Sequence, residues 1–91
     1  MRFEWDVVKE RANVRKHGVN FKTASEVFTA SKSSEAEFDD AHSDDEERWK
    51  IIGPTTRGLL LVVFAFRMED VIWIISARHA TKHEQRRFHE R

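Results

Sequence analysis

Two apolar runs stand almost end to end in this chain, Leu59-Leu60-Leu61-Val62-Val63-Phe64-Ala65-Phe66 and Val71-Ile72-Trp73-Ile74-Ile75-Ser76-Ala77. Their lengths suit strands, and their β-branched residues favour extended backbone. Neither run alternates with polar residues, so each is expected to be buried on both faces. Met68-Glu69-Asp70 supplies the turn between them. The pair predicts two adjacent strands at the centre of an antiparallel sheet, with Trp73 buried in the second.

The residues before these strands extend the sheet. Trp49 to Gly53 is typical of a strand, and a turn over Pro54 to Gly58 connects it to the first apolar run. Further back, the acidic run 35–47 predicts a weak edge strand around Ala36 to Phe38, followed by a solvated loop. Apolar and charged residues alternate in Arg2-Phe3-Glu4-Trp5, which indicates a short first strand.

Two helices are predicted between the first strand and the acidic run. Asp6 can cap the first helix, Val7 to His17, and Gly18 can end it in the left-handed conformation. Asn20 can cap a second helix whose apolar residues form one stripe. These residues are Phe21, Ala24, Val27 and Phe28.

A third helix is predicted after the second apolar run. Thr81 and Glu84 have the spacing of a capping box, in which each side chain bonds the backbone N–H of the other. Lys82, Arg86 and His89 then share one helix face, whereas Glu84 and Phe88 share another. The fold class is α+β, with a short β1, two N-terminal helices, an antiparallel β-sheet meander and a C-terminal helix. We expect a single domain over residues 1–91.

The composition narrows the class of protein. A chain of 91 residues with 40% hydrophobic and 35% charged residues can fill and cover one small core. The absence of cysteine excludes disulfides and thiolate metal sites, and it fits a reducing compartment. No apolar run is long enough to span a bilayer, and no signal sequence opens the chain. We therefore expect a cytoplasmic protein.

The net charge of zero hides an uneven distribution. Residues 1–34 contain seven basic residues (Lys or Arg) and four acidic residues (Asp or Glu). Residues 35–47 contain no basic and eight acidic residues, and residues 48–91 contain nine basic and four acidic residues. Two basic segments therefore flank an acidic one, and a local surface can be strongly positive. A nucleic acid is compatible with this pattern.

The strongest candidate for chemistry is the junction of the second apolar run with the third helix, where Arg78, His79 and Lys82 lie close together. Cleaving RNA without a metal needs a base for the 2′-hydroxyl, cations for the phosphorane and an acid for the leaving oxygen. His79 could serve as base or acid, and Arg78 with Lys82 could supply charge. The alternative is that these charges gather only because a strand meets solvent there.

Two further residues are weaker candidates. His17 could be a second proton-transfer group, although a cation at a helix C-terminus also stabilises the helix dipole. Arg57, in the turn before the first apolar run, could reach a phosphate or be merely solvated. His79 and His83 have the spacing of a zinc-binding pair but lack the remaining pattern. We expect no metal and no cofactor.

The whole sequence resembles the BrnT toxins of bacterial BrnT/BrnA toxin-antitoxin modules. Two blocks carry the resemblance, each in the same order and spacing. The first comprises Phe3-Glu4-Trp5-Asp6, Lys9, Asn13, Lys16-His17-Gly18-Val19 and Phe21, and the second comprises Glu47-Arg48, Ile52-Gly53, Ile74-Ile75-Ser76-Ala77-Arg78, Ala80-Thr81 and Glu84-Gln85-Arg86.

The resemblance implies a fold similar to RelE-type ribonucleases and a metal-independent endoribonuclease that cuts RNA and blocks translation. It also implies a BrnA-like ribbon-helix-helix antitoxin that forms a 2:2 complex with the toxin. This complex represses its own promoter, and the antitoxin makes most of the contacts with the operator DNA. By the same resemblance, Arg78 and His17 match positions of the family blocks, and Lys82 and Arg86 match basic positions of the last helix. Arg87 and His89 complete the RNA-binding set expected on that helix.

The chain departs from many BrnT toxins at three places. Leu59 and Trp73 replace basic residues, and Phe88 replaces a tyrosine. His79 stands where Lys or Arg is common. These departures favour an alternative function, a non-catalytic module that binds the antitoxin and acts only in regulation. A stand-alone DNA-binding protein is a third possibility, but no helix-turn-helix pattern supports it.

Overall fold

The computed structural model describes residues 1–42 and 45–91. In these residues the chain forms five strands and three α-helices, with one 3₁₀ turn at Asp40–His42. Their order is β1 (Arg2–Glu4), α1 (Val7–His17), α2 (Phe21–Thr29), β2 (Glu37–Phe38), β3 (Trp49–Thr55), β4 (Gly58–Arg67), β5 (Val71–His79) and α3 (Lys82–Glu90). The α+β class and the order of elements agree with the sequence prediction.

The strands form one sheet in the order β1-β5-β4-β3-β2. Strands β2 to β5 make the expected antiparallel meander, and the two apolar strands β4 and β5 lie at its centre. Strand β1 pairs in parallel with the first three residues of β5, with Phe3 opposite Ile72. The sequence did not indicate this pairing, because a three-residue strand carries no pattern that selects its neighbour.

The helix ends form as predicted. Asp6 Oδ1 accepts from the backbone N–H groups of Val8 and Lys9, at 2.8 and 3.2 Å. Asn20 Oδ1 accepts from Thr23 N at 2.8 Å, and Gly18 ends α1 with a φ of 70°. These short polar contacts satisfy N–H groups that have no partner inside a helix.

Strand β3 runs farther than expected, through Pro54 to Thr55. Pro54 is tolerated because β2 is only two residues long and pairs with Trp49 and Lys50, so within residues 1–42 and 45–91 no strand on that side needs the N–H that Pro54 lacks. The turn to β4 is reduced to Thr56 and Arg57, with Gly58 at a φ of 95°.

Helices α1 and α2 cover one face of the sheet and bury the hydrophobic core against it. The apolar stripe of α2 lies there, with Phe21, Ala24 and Val27 fully buried and Phe28 half-buried. From the sheet, the alternating residues Leu60, Val62 and Phe64 point to the same side. Trp5 and Trp49 pack at the margin of this core.

The expectation that both apolar strands are fully buried is wrong at several positions, of which Phe66 and Trp73 are the largest side chains. Phe66 is 59% exposed, although its ring packs edge-on against Phe64 and Trp49 at the end of the core. Trp73 is half-buried, since its strand neighbours Ile72 and Ile74 point into the core and Trp73 lies on the opposite face of the sheet. The Arg67 guanidinium covers its ring, 4.1 Å from the centroid.

The acidic run is only partly the solvated loop that the sequence predicts. Its edge strand is present as β2, but Asp39 is buried and the next three residues form the 3₁₀ turn. Residues 43 and 44 of the expected loop lie outside the described residues.

One buried polar side chain joins α1 to the free edge of β5. Asn13 Nδ2 donates to the carbonyl oxygens of Val19 and Ala77, at 2.9 and 2.8 Å, and Asn13 Oδ1 accepts from Ala77 N at 3.1 Å. Beyond Trp73, none of the strands in the described part of the chain pairs with this side of β5, since β1 has ended. The Asn13 amide therefore replaces a missing strand and satisfies the backbone of Ala77.

Replacing Asn13 by Ala should lower the free energy of unfolding by about 3 kcal/mol, because buried backbone groups at Ala77 and Val19 lose their partners. The comparison is Arg11→Ala, an exposed change on the same helix that should cost less than about 0.5 kcal/mol. Urea denaturation measures both. Equal stability of the two variants would contradict the role of Asn13.

Candidate functional site

The strand register places two rows of side chains on the sheet face that α1 and α2 leave uncovered. Lys50, Val63 and Ser76 lie side by side on β3, β4 and β5, and Ile52, Leu61 and Arg78 form the next row. Because side chains alternate along a strand, both rows point away from the core. Helix α3 lies over part of this face.

A groove of about 330 Å³ opens on this face between the end of α1, the sheet and the start of α3. We call it the cationic groove, since Lys16, Lys50 and Arg78 lie in its wall. Its remaining lining residues are His17, Asp39, Leu61, Val63, Ser76 and Glu84. Three cations from three different elements thus line one groove with a histidine and two carboxylates, and cations of this kind suit a phosphate.

The best-fixed cation in the groove is Arg78, which makes a bidentate ion pair with Glu84. Its two Nη atoms donate to the two carboxylate oxygens at 2.8 and 3.0 Å, and one of them also donates to the carbonyl of His79 at 3.1 Å. The same carboxylate accepts from Thr81 N, which completes the predicted capping box. Hydrogen bonding from Arg78 lowers the pKa of Glu84 to about 2, and the pairing raises the pKa of Arg78.

His17 is held at the last turn of α1, next to this ion pair. Its pKa lies below the ordinary value of 6.5, first because burial disfavours the imidazolium, and then because Lys16, Arg78 and His79 repel a positive charge. At neutral pH the ring is therefore mainly neutral and can accept a proton. The side chain that the sequence ranked second thus has the properties of a general base.

The other residues predicted as catalytic lie outside the cationic groove. His79 is exposed and alternates to the opposite side of β5 from Arg78. Lys82 is exposed at the first position of α3, and Arg57 is exposed in the β3–β4 turn. Of the residues predicted as catalytic, the cationic groove therefore contains Arg78 and His17. His79, Lys82 and Arg57 lie outside it.

The predicted RNA-binding residues lie on two sides of α3. Arg86 and His89 lie on the exposed face of α3, as the helical spacing predicts. Arg87 lines a second groove on the sheet side of the helix. Glu84 and Phe88 are half-buried and face the sheet, also as predicted.

Comparisons with known proteins now give the family. The family model described as "Ribonuclease toxin, BrnT, of type II toxin-antitoxin system" matches residues 5–84. Among solved structures, the crystal structure of the Brucella abortus ribonuclease toxin BrnT is similar, with a TM-score of 0.66 and 26% identity, over 90% of this chain and 99% of that chain. The comparison with curated protein sequences gives no significant match.

This chain belongs to the BrnT family. The family comprises ribonuclease toxins of type II toxin-antitoxin systems, so the chain is a toxin with ribonuclease function whose partner is an antitoxin. The resemblance read from the two sequence blocks is confirmed.

Five polar groove residues of this BrnT-family chain were missed as site residues: Lys16, Asp39, Lys50, Ser76 and Glu84. Ser76 could have been found, because it lies two residues before Arg78 in the same strand and so shares its face. Lys50 needs the cross-strand register, in which it lies opposite Val63 and Val63 lies opposite Ser76. No local pattern marks Asp39 as buried.

Two general features bear on function. No three His, Asp or Glu side chains of residues 1–42 and 45–91 come together as a potential metal site. None of the helices in the described part of the chain is both long and apolar enough to cross a membrane.

The Arg78–Glu84 pair should make stability depend on acid pH. The folded-state pKa of Glu84 is about 2, below its ordinary 4.5, so the stabilisation is present above pH 4.5 and is lost as the pH falls towards 2. Between pH 6 and pH 2 the wild type should lose about 2–3 kcal/mol more unfolding free energy than Glu84→Gln, which cannot titrate.

Denaturant unfolding across this pH range measures the difference. Glu90→Gln, an exposed change on the same helix, should keep the wild-type dependence on pH. If Glu84→Gln also kept it, the ion pair would not be the cause.

Proposed function

We propose that this BrnT-family toxin cleaves RNA in the cationic groove without a metal ion, by attack of a ribose 2′-hydroxyl on the adjacent phosphate. The observation that carries the proposal is a histidine of lowered pKa in one groove with three cations. A neutral base and a positive wall are what this reaction requires of a protein.

The reaction can be written with these side chains. His17 accepts the proton of the 2′-hydroxyl as its oxygen bonds to phosphorus. Lys16, Lys50 and Arg78 stabilise the additional negative charge of the phosphorane. The bond from phosphorus to the 5′-oxygen then breaks, and that oxygen takes a proton from an ammonium group or a water in the groove. The products are a 2′,3′-cyclic phosphate and a 5′-hydroxyl end.

The exposed cations around the groove fit a role in holding RNA. Lys82 and Arg86 lie on the outer face of α3, while His79 and Arg57 lie near the end of β5 and in the β3–β4 turn. Arg87 and His89 lie farther along α3. We propose that these side chains contact the phosphate backbone on either side of the cleaved bond, where each contact adds salt-dependent affinity.

The partners follow from the proposal and the family. RNA is the substrate, and cleavage of RNA in the cytoplasm would inhibit translation. We further propose a BrnA-like ribbon-helix-helix antitoxin, a 2:2 complex with it, and contact with operator DNA through the antitoxin. Co-purification with the protein encoded next to this one, followed by mass measurement of the complex, tests the partner and its stoichiometry.

Cleavage of a synthetic RNA in the presence of EDTA tests the reaction. His17→Ala should lower kcat/KM by about 10²–10⁴, the usual contribution of a general base, whereas His83→Ala, an exposed histidine outside the groove, should match the wild type. The wild-type rate should rise with pH through a pKa below 6.5, and His17→Ala should lack this rise.

Arg78 needs a paired control, because Arg78→Ala alone leaves the half-buried Glu84 carboxylate unpaired. Arg78→Ala/Glu84→Gln is therefore compared with Glu84→Gln. If the double variant is about 10²-fold less active than Glu84→Gln, Arg78 stabilises the negative charge of the transition state. If the wild type bound its antitoxin but left RNA intact under all conditions, the non-catalytic regulatory module would be the correct function.

A further inference from the structure

A second groove lies directly beside the cationic groove, between α3 and strands β3 and β4. It has a volume of about 250 Å³, and Phe88 lies in its wall, so we call it the Phe88 groove. Lys50, Leu61 and Glu84 line both grooves. A molecule held in one therefore touches the same side chains as a molecule held in the other.

The Phe88 groove has an apolar interior that suits a flat ring. Ile52 and Leu61 are neighbours across β3 and β4 and form its floor. The half-buried ring of Phe88 stands over them from α3. The Arg91 guanidinium lies 4.4 Å from the centroid of this ring and donates to the carbonyl of Lys32 at 2.5 Å, which ties the end of α3 to the body of the protein.

The Phe88 groove is lined by two carboxylates and three cations, of which Glu84 is already paired with Arg78 and Arg91 already bonds the Lys32 carbonyl. Glu37, on edge strand β2, contributes a carboxylate, and Arg87, on α3, contributes a guanidinium. A carboxylate accepts hydrogen bonds only, and a guanidinium donates only. The ligand that suits both must carry donors on one edge and acceptors on another.

We propose that the Phe88 groove binds the base of the nucleotide next to the cleaved phosphate, and that the preferred base is guanine. This inference rests on the proposed function, since it takes the phosphate in the cationic groove as its neighbour. Guanine presents two adjacent N–H donors to Glu37 and the O6 and N7 acceptors to Arg87. Its ring stacks on Phe88, the mode by which proteins hold unpaired bases.

The size and position of the groove agree with this occupant. Its volume is below the roughly 300–1,000 Å³ of pockets for drug-sized ligands, so it suits one ring system rather than a longer segment. Because Lys50 stands between the two grooves, a base in one directs its own phosphate towards the other. Sequence preference and chemistry would then be set by adjoining parts of one surface.

Binding of an RNA that cannot be cleaved tests the inference independently of catalysis. The probe is a fluorescent six-nucleotide oligouridylate with 2′-O-methyl groups throughout, which removes the attacking hydroxyl, and with guanine at one position. Fluorescence anisotropy compares it with the same probe carrying hypoxanthine, adenine or no base there. Hypoxanthine lacks the 2-amino donor of guanine but keeps its other edges.

For the wild type, we expect the guanine probe to bind about tenfold more tightly than the hypoxanthine probe, the effect of losing one hydrogen bond to a carboxylate. Glu37→Gln should remove most of this difference, whereas Glu90→Gln should not. Phe88→Leu keeps an apolar side chain under α3 but removes the stacking surface. It should therefore reduce the advantage of every base over the abasic probe, whereas Phe66→Ala, an exposed aromatic on the other face, should preserve it.

Three results would overturn the inference. The first is equal binding of all probes by a wild type that cleaves ordinary RNA, which leaves the proposed function intact. The second is a base preference that survives both Glu37→Gln and Phe88→Leu. The third is weaker antitoxin binding in Phe88→Leu with unchanged binding of the probes, which would assign the groove to the protein partner. Guanine-dependent binding by a protein that cleaves no RNA would instead refute the proposed function alone.

Discussion

The position of helix α3 on the sheet depends on the ion pair between Arg78 and Glu84. None of the α3 residues is fully buried, so apolar packing contributes less to its position than is usual for a helix on a sheet. The Glu84 carboxylate accepts from both Nη atoms of Arg78 and from the backbone of Thr81. Glu84 thus fixes where the helix begins, and the Arg91 bond to the Lys32 carbonyl holds its other end. Both grooves depend on the contact between Arg78 and Glu84, since Glu84 lines each of them.

The spacing of two residues on α1 connects the stability of the fold to the chemistry of the groove. Asn13 and His17 are four residues apart, so they lie on the same side of the helix. Asn13 bonds the free edge of β5 at Ala77, and this contact holds the next turn, with His17, beside Arg78. The burial and the nearby cations that lower the pKa of His17 are consequences of that placement. A change that loosened Asn13 would therefore disturb the position of His17 as well as the fold.

Local patterns predicted most of the fold, because caps, turns and apolar periodicity are encoded by neighbouring residues. The limits of α1, the capping box at Thr81 and the central position of β4 and β5 were all read correctly from the sequence. The parallel pairing of β1 was not, since it is decided by packing across the sheet. The need for glycine at position 53 is likewise decided by packing between distant parts of the chain. A Cβ there would collide with Ser33 and Val27, which approach β3 from distant parts of the chain.

The candidate site was predictable only in part for a related reason. Arg78 comes directly after the apolar run of β5, so the sequence alone indicates Arg78 as a candidate. Lys16, Lys50 and Asp39 come to the groove from three separate elements, and only the register of the sheet and the docking of α1 bring them together. His79 seemed the natural partner of Arg78 because it is adjacent in sequence. Adjacent residues of a strand point to opposite faces, however, and the histidine that reaches the groove is His17.

The same geometry bears on Leu59, Trp73 and Phe88, the positions at which the sequence resemblance predicts departures from many BrnT toxins. Leu59 and Trp73 do not line the cationic groove, and the ring of Trp73 already has the guanidinium of Arg67 against it. The loss of basic residues at these positions therefore leaves the three cations around His17 in place. Phe88 lines the neighbouring groove, outside the cationic groove. Under the proposed function, a change at Phe88 would therefore affect the binding of a base, whereas the side chains proposed for catalysis would keep their places.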